Sequence, residues 1–381
     1  MNNLQVSEDH VAQIFDLPND LIINILSRLP AKSIAKCRCV SKLWSSIFRR
    51  PRFNEFFPIK SSASPRFMFT FVVEDKILFF LSPQPQDPNE NSSSVASYLV
   101  GSDHHTEFTG NQELCLPING FVCRQYQVIK YRKVVAICNP ITGESLTLPK
   151  MGAQFIDARS YFGFDPINKQ FKVLCLTWHN MGIHVKSEKY QVMTLGVGKV
   201  LWRTIKCRKP HYPLHDGICI NGVLYYRAHD VEKGSGISII VCFDVRSEEF
   251  KFINLDKDML VGSSWVLINY KGKLGAVDIN VNRFMLVVLE DARNHKWSKH
   301  IIYKVPDSWR ELRITTPLQF VGATSTGEIV LSPAYLTDPF YVYYYNLERN
   351  TLIRVRVQGL EAFPNHRVHT FLDYVEDFNL M

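Results

Sequence analysis

Five stretches of the chain repeat one pattern: a run of β-favouring residues, an Asn or Asp, and a second β-favouring run. They are VVAICNPITGESLTLP (Val134 to Pro149), YFGFDPINKQFKVLCL (Tyr161 to Leu176), IVCFDVRSEEFKFINL (Ile240 to Leu255), VVLEDARNHKWSKHII (Val287 to Ile302) and VYYYNLERNTLIRVRV (Val342 to Val357). In each, an apolar residue returns six or seven positions after the Asn or Asp. These two residue types close turns with their own side chains and tolerate left-handed backbone, so each stretch is predicted to be a β-hairpin. A second set, PINGFVC, CINGVLYY, YKGKLGA and STGEIVL, places Gly120, Gly222, Gly272 and Gly327 just before a strand.

These glycines are 102, 50 and 55 residues apart; the first gap spans two periods, filled by FDPINKQFKVL and VMTLGVGKVLWRTI. A period near 50 residues with two hairpins per unit predicts four-stranded blades of an all-β propeller of kelch-like type. From Ser64 to Met381 there are 318 residues, room for about six blades. The sixth is expected to combine RFMFTFVV and KILFFL with HRVHTFLDYV from the far end, so that the ring closes without an open strand edge. A Gly-Gly doublet is absent from the blades, which sets the repeat apart from kelch proper.

Residues 14–58 have a different texture. Leu17, Leu21, Ile22, Ile25, Leu26 and Leu29 form an apolar stripe at helical spacing. Pro18 suits a first helical turn, Asp20 favours the positive end of the helix, and Leu29-Pro30 breaks it. A second short helix is predicted from Ala31 to about Cys39. A third begins near Ser41, with Val40, Leu43, Trp44, Ile47 and Phe48 on one side. Three short helices cannot cover two apolar stripes and a tryptophan. The uncovered part is expected to lie against the rest of the chain or against a partner.

The run LPNDLIINILSRLPAKSIAKCRCVSKLWSSIFRRPRF, Leu17 to Phe53, resembles the F-box in its Leu-Pro opening, the Leu-Pro at the helix break, Lys-Ser-Ile, Cys-Arg-x-Val-Ser-Lys-x-Trp and the closing Pro-x-Phe. The resemblance implies a small three-helix domain that binds a Skp-type adaptor and, through it, cullin and RING subunits of a ubiquitin ligase. Matched position by position, it makes Leu17, Pro18, Leu21, Ile25, Leu29, Pro30, Ile34, Val40 and Trp44 the adaptor-contact candidates, with Val40 and Trp44 also suited to holding the helices together. The segments INGFVC, CNPITGESLTLPK, YFGFDPINKQFKVL and INGVLYY resemble the F-box-associated domain of plant F-box proteins, the kind called type three. That match is dense from Ile118 to Tyr226 and rests on the period alone after Lys251. The expected organisation is an F-box over 14–58, a tether near Pro51 to Ser64, and the propeller over 64–381.

Other classes find little support. No run approaches 18 consecutive apolar residues, so membrane spanning is not expected, and the opening MNNLQVSEDH does not read as a secretory signal. Nine cysteines without a CxxC pair suggest reduced, packed thiols. The formal charge of +8 is spread along the chain, and its densest cluster, RTIKCRKPH (Arg203 to His211), reads as a solvated loop; no nucleic-acid partner is expected. GVGK (Gly196 to Lys199) lacks the Ser or Thr of a phosphate loop and is expected to be a hairpin turn. There is no GxSxG, no HExxH and no metal-spaced Cys/His set, so no catalytic residue, metal or cofactor is expected. His366 and His369 are placed on opposite faces of a strand, His104-His105 and Glu248-Glu249 in solvent. The segment SPQPQDPNENSSSVAS (Ser82 to Ser97) is expected to be a mobile surface loop.

The reading that unites these features is a non-catalytic, substrate-recruiting subunit of a Skp, cullin and F-box ubiquitin ligase in cytoplasm and/or nucleus. Its propeller loops would select a target protein, with Trp178, His179, Tyr212 and Trp265 as loop candidates and the target-binding residues unknown. The alternative is a propeller that binds a glycan or small metabolite, capped by the helices.

Overall fold

The strands follow the repeat. The computed structural model describes Leu21, Ile25 and residues 65–376 other than 75, 90, 104–112, 129–131, 150–156, 182–183, 197–200, 232–237, 255–264, 280–282, 293, 299–300 and 305–316. The first strands are β1 (Arg66–Val73), β2 (Lys76–Pro83), β3 (Ser93–Val95) and β4 (Ser97–Asp103). A sheet of β5 (Glu113–Leu114), β6 (Val122–Val128), β7 (Arg132–Cys138) and β8 (Ser145–Thr147) follows in that order. The next holds β9 (Asp157–Asp165), β10 (Gln170–Met181), β11 (His184–Thr194) and β12 (Arg203–Ile205), and the one after it β13 (His211–Ile220), β14 (Val223–Asp230), β15 (Ser238–Asp244) and β16 (Phe250–Asn254). Then come β17 (Val266–Tyr270), β18 (Lys273–Ile279), β19 (Arg283–Asp291) and β20 (Lys296–Trp297), with β21 (Ile301–Lys304) also on β19. The last full sheet is β22 (Leu318–Ala323), β23 (Ile329–Pro333), β24 (Phe340–Asn346) and β25 (Thr351–Gln358). Strand β26 (His369–Tyr374) crosses back to pair with β1, giving the order β26-β1-β2-β4 and closing a six-bladed ring as expected. Numbering starts from that closing blade as the first.

The core lies between blades. Among the described residues six apolar clusters are present, one at each junction of neighbouring blades. On β15, Ile239, Val241 and Phe243 face the third blade while Ile240 and Cys242 face the fifth. On β19, Phe284, Leu286 and Val288 face the sixth and Met285, Val287 and Leu289 the fourth. Side chains alternate along a strand, so a strand buried on both faces must be apolar at every position. That is why FMLVVL (Phe284 to Leu289) and IIVCF (Ile239 to Phe243) read as unbroken apolar runs. Each large side chain so buried contributes about 1.5–3 kcal/mol.

All five predicted Asx hairpins form, and they share one turn. The side-chain oxygens of Asn139, Asp165, Asp244 and Asn346 each accept backbone N–H bonds from residues two and three positions on. Asp291 accepts from the amide of Asn294. The left-handed residue is not the Asn or Asp itself, contrary to expectation. It stands four positions later, at Gly143, Lys169, Glu248, His295 and Asn350, with φ between 52° and 75°. The Asx side chain holds the start of the turn, and the chain reverses at the fourth residue to enter the next strand. The glycine set forms tighter turns: Asn221 and Gly222 have φ of 50° and 82°, the pair of positive values a two-residue hairpin requires.

Segment 82–97 is not a mobile loop. Strand β3 pairs in parallel with the outer strand β25, Ser94 opposite Val357, so the segment straps the sixth blade to the first. Ala96 donates its N–H to the Gln358 carbonyl, and Gly359, at φ 91°, leaves room for the Ala96 oxygen, which would lie 2.4 Å from an added Cβ. The Pro, Ser and Asn content that argued for disorder omitted what decides the outcome, a waiting strand edge that supplies hydrogen bonds in place of a core.

Candidate functional site

Leu21 and Ile25 are helical and 50% and 55% exposed. One helical turn apart, they stand on one face, which brings two bulky apolar side chains to the surface side by side. The other adaptor-contact candidates, Leu17, Pro18, Leu29, Pro30, Ile34, Val40 and Trp44, lie outside the described residues.

In the propeller, antiparallel alternation sorts the connections. In the second to sixth blades the first-to-second and third-to-fourth strand connections emerge on one face, where the Asx and glycine turns sit. The second-to-third connections and the crossings between blades emerge on the other, which carries the longer loops. At that loop face, where the innermost strands β5, β9 and β13 begin, four charges from two blades interlock. Lys133 lies 2.6 Å from Asp157 and 3.9 Å from Glu113, and Arg159 lies 3.2 Å from Glu113. Tyr212 of the fourth blade adjoins them. Burial pushes its hydroxyl pKa up, and the Asp157 and Glu113 carboxylates add to the rise. Of these residues sequence reasoning named only Tyr212, as a loop candidate; the four charges, scattered from 113 to 159, carry no spacing that marks them.

The tryptophans proposed for recognition belong to the core. Trp178 and Trp265 are 2% and 1% exposed, Trp178 packing edge-on to Tyr212 and Trp265 carrying the Arg227 guanidinium 3.8 Å above its ring. Burial lowers the Arg227 pKa to about 10, against the opposing pull of Asp278. His179 has no described side chain.

The basic cluster 203–211 is only partly solvated. His211 is buried, with Nδ1 2.9 Å from the Lys209 carbonyl and Nε2 2.6 Å from the Tyr226 hydroxyl. Nδ1 therefore donates, Nε2 accepts, and burial lowers the imidazole pKa to about 4. Cys207 Sγ lies 3.8 Å from Nδ1, but that nitrogen already carries its proton and burial raises the thiol pKa, so the pair is no nucleophile and base. Glu248 is not in open solvent either. It pairs with buried Lys172 at 2.7 Å and with Arg203. Burial works to raise its pKa, but hydrogen bonds from Arg203 and Lys172 outweigh that and lower it. His366 precedes β26 and only His369 lies in it, so the two do not share a strand. Gly196 lies between β11 and β12, which pair as a hairpin. Among the described residues no group of three or more His, Cys, Asp or Glu could hold a metal, and no helix is long and apolar enough to cross a membrane. His104-His105 lies outside the described residues.

The F-box domain family matches residues 14–56, and the F-box associated beta propeller domain family matches 66–375. The chain belongs to the F-box protein family, in the branch that carries an F-box-associated propeller. F-box protein DOR of Arabidopsis thaliana is 47% identical over 378 residues, covering 96% of this chain and 94% of that one. F-box protein At1g53790 of the same plant is 47% identical over 375 residues, covering 96% and 82%. Among solved structures, TolB from Acinetobacter baumannii aligns with a TM-score of 0.44 at 9% identity, over 81% of this chain and 66% of that one. This F-box protein joins an F-box to a closed propeller ring, and the exposed pair Leu21 and Ile25 lies inside the F-box match.

Proposed function

We propose that this F-box protein is the substrate-recognition subunit of a Skp, cullin and F-box ubiquitin ligase. Its F-box docks on a Skp-type adaptor, the adaptor links it to cullin and RING subunits, and the propeller recruits a target protein. The observation that carries the reading is the exposed pair Leu21 and Ile25 on one helical face within the matched F-box. An apolar helical face of this kind fits a hydrophobic groove on a partner. The chain acts here as a non-catalytic adaptor: it raises the local concentration of the target beside a charged ubiquitin carrier and needs no reacting side chain of its own. Seven free cysteines among the described residues suit the reducing conditions of cytoplasm and/or nucleus, where we place its action.

The test is co-purification of the intact chain with a Skp-type adaptor, and its loss on Leu17→Ala with Pro18→Ala while the thermal transition of the propeller is kept. Undiminished binding by the double variant would remove these residues from the interface.

A further inference from the structure

The strap across the sixth blade carries three consecutive serines, and their surroundings differ. The Ser92 hydroxyl is spent in a local turn, accepting the Asn89 N–H at 2.9 Å and donating to Asn89 Oδ1 at 3.2 Å. Ser94 is buried beside its register partner Val357. Ser93, between them, points the other way along the pleat and is exposed, with a hydroxyl that makes no hydrogen bond among the described residues.

The register partner of Ser93 on β25 is Arg356. Residues in register leave the sheet on the same face, here from strands about 4.8 Å apart. Backbone bonds fix that register on both sides of the pair: Arg356 donates its N–H to the Ser92 carbonyl at 3.3 Å, and Ala96 donates to the Gln358 carbonyl at 2.8 Å. Arg354 stands on the same face, about 7 Å back along β25. Val355 and Val357 turn into the apolar junction with the first blade, which leaves both arginines exposed. Neither guanidinium is neutralised. Arg354 lies 4.8 Å from the centre of the Tyr341 ring, and Tyr341 is the partner of Arg356 on the far side of β25. Among the described residues no carboxylate pairs with Arg354 or Arg356. Two neighbouring like charges repel, and an anion placed between them and the strap reverses the sign of that interaction.

We propose that Ser93 is a phosphorylation site whose phosphate is received by Arg356 and Arg354, fastening the strap to the sixth blade. The step is transfer of the terminal phosphoryl group of a nucleoside triphosphate by a protein kinase. The Ser93 Oγ–H bond breaks and its proton passes to the kinase's base, an Oγ–P bond forms, and the nucleoside diphosphate leaves with the electron pair of the broken P–O bond. A phosphoserine brings a charge of about −1.5 to −2 and three acceptor oxygens, and the fork of a guanidinium matches two of them at once. The strap is where such a clip has effect, because a strand of three residues has few ladder bonds of its own. Free phosphate would meet the same two arginines without the tether that raises its local concentration.

The test begins with the intact chain purified from plant cells in which phosphatases are inhibited. Mass spectrometry is expected to place phosphate on Ser93 and none on Ser92 or Ser94; a Ser93 peptide free of phosphate overturns the proposal. Phosphoserine is then installed at position 93 by genetic code expansion, and hydrogen exchange is read at the Ala96 and Arg356 amides. Exchange should slow by about threefold or more relative to the unmodified chain. Arg356→Gln should reduce that slowing, and Arg356→Gln with Arg354→Gln should abolish it. Both positions are exposed and carry no ion pair, and an unchanged thermal transition confirms that the variants fold. Equal exchange with and without the phosphate, slowing that survives the loss of both arginines, or the same slowing when inorganic phosphate is added to the unmodified chain overturns the proposal.

Discussion

Tyr161 and Tyr226 stack across the third and fourth blades with ring centroids 4.3 Å apart and planes 19° from parallel. The Tyr226 hydroxyl continues the contact to His211, so one aromatic pair joins an apolar junction to a buried polar one. Tyr161→Ala is predicted to cost about 3–5 kcal/mol, through lost burial and the cavity left behind. Tyr226→Phe keeps the ring but strands His211 Nε2 without its donor, at about 1–3 kcal/mol. Denaturant unfolding of the two variants should therefore rank Tyr161→Ala as the more damaging; the reverse order would mean that the hydroxyl, not the stack, holds the junction.

Acid should loosen the ring before it affects the carboxylates generally. Burial holds His211 and His369 neutral, with pKa values near 4 against an ordinary 6.5. Between about 6.5 and 4 the unfolded chain binds protons at these sites that the folded chain does not. Stability from this source is complete above 6.5 and declines as pH falls through that window, by on the order of 2–3 kcal/mol for His211. Asp373 and Glu376, raised by burial, act in the opposite sense at the acid end. Thermal melts from pH 7 to pH 5 should show the loss, and His211→Gln should reduce its slope. An unchanged slope would mean that the histidine does not carry it.

The shared Asx turn gives a positional prediction. Asp244→Ala and Asn139→Ala remove the acceptor that organises the turn, and each is expected to cost about 1 kcal/mol. Four residues after the Asx position the demand is for left-handed backbone: Lys169→Gly should be neutral or slightly stabilising, and Lys169→Val destabilising by about 1–2 kcal/mol. Equal effects from glycine and valine at Lys169 would contradict the turn geometry.

The strap is testable in isolation from the rest of the ring. Gly359→Ala would push a methyl into the Ala96 carbonyl, in a backbone conformation that also disfavours it. Hydrogen exchange at the amide of Ala96 is expected to accelerate in that variant while β26 keeps its protection. Exchange that stays slow would show that the strap is held by something other than the contact at Gly359.

Repetition explains how much of this was legible in advance. The five hairpins and the closing strand were readable because every blade solves the same problem with the same turn, so one chain supplies several instances of the pattern. The burial of Trp178 and Trp265 was not, because alternation assigns a side chain to a face only after the strand register is known. His211 and Glu248 were read as solvated from their charged neighbours, whereas their partners Tyr226 and Lys172 come from other strands. The strap was missed for the same reason: β3 is stabilised by β25, about 260 residues further along the chain.

The central claim is that the helical face carrying Leu21 and Ile25 is covered by a Skp-type adaptor. The direct measurement is the affinity of purified intact chain for that adaptor, before and after Leu21→Asp with Ile25→Asp. Losing two buried apolar side chains at about 1.5–3 kcal/mol each predicts a fall of ~100-fold or more, with the propeller's thermal transition unchanged. A wild-type chain that does not bind the adaptor, or a double variant that binds it equally well, would contradict the account.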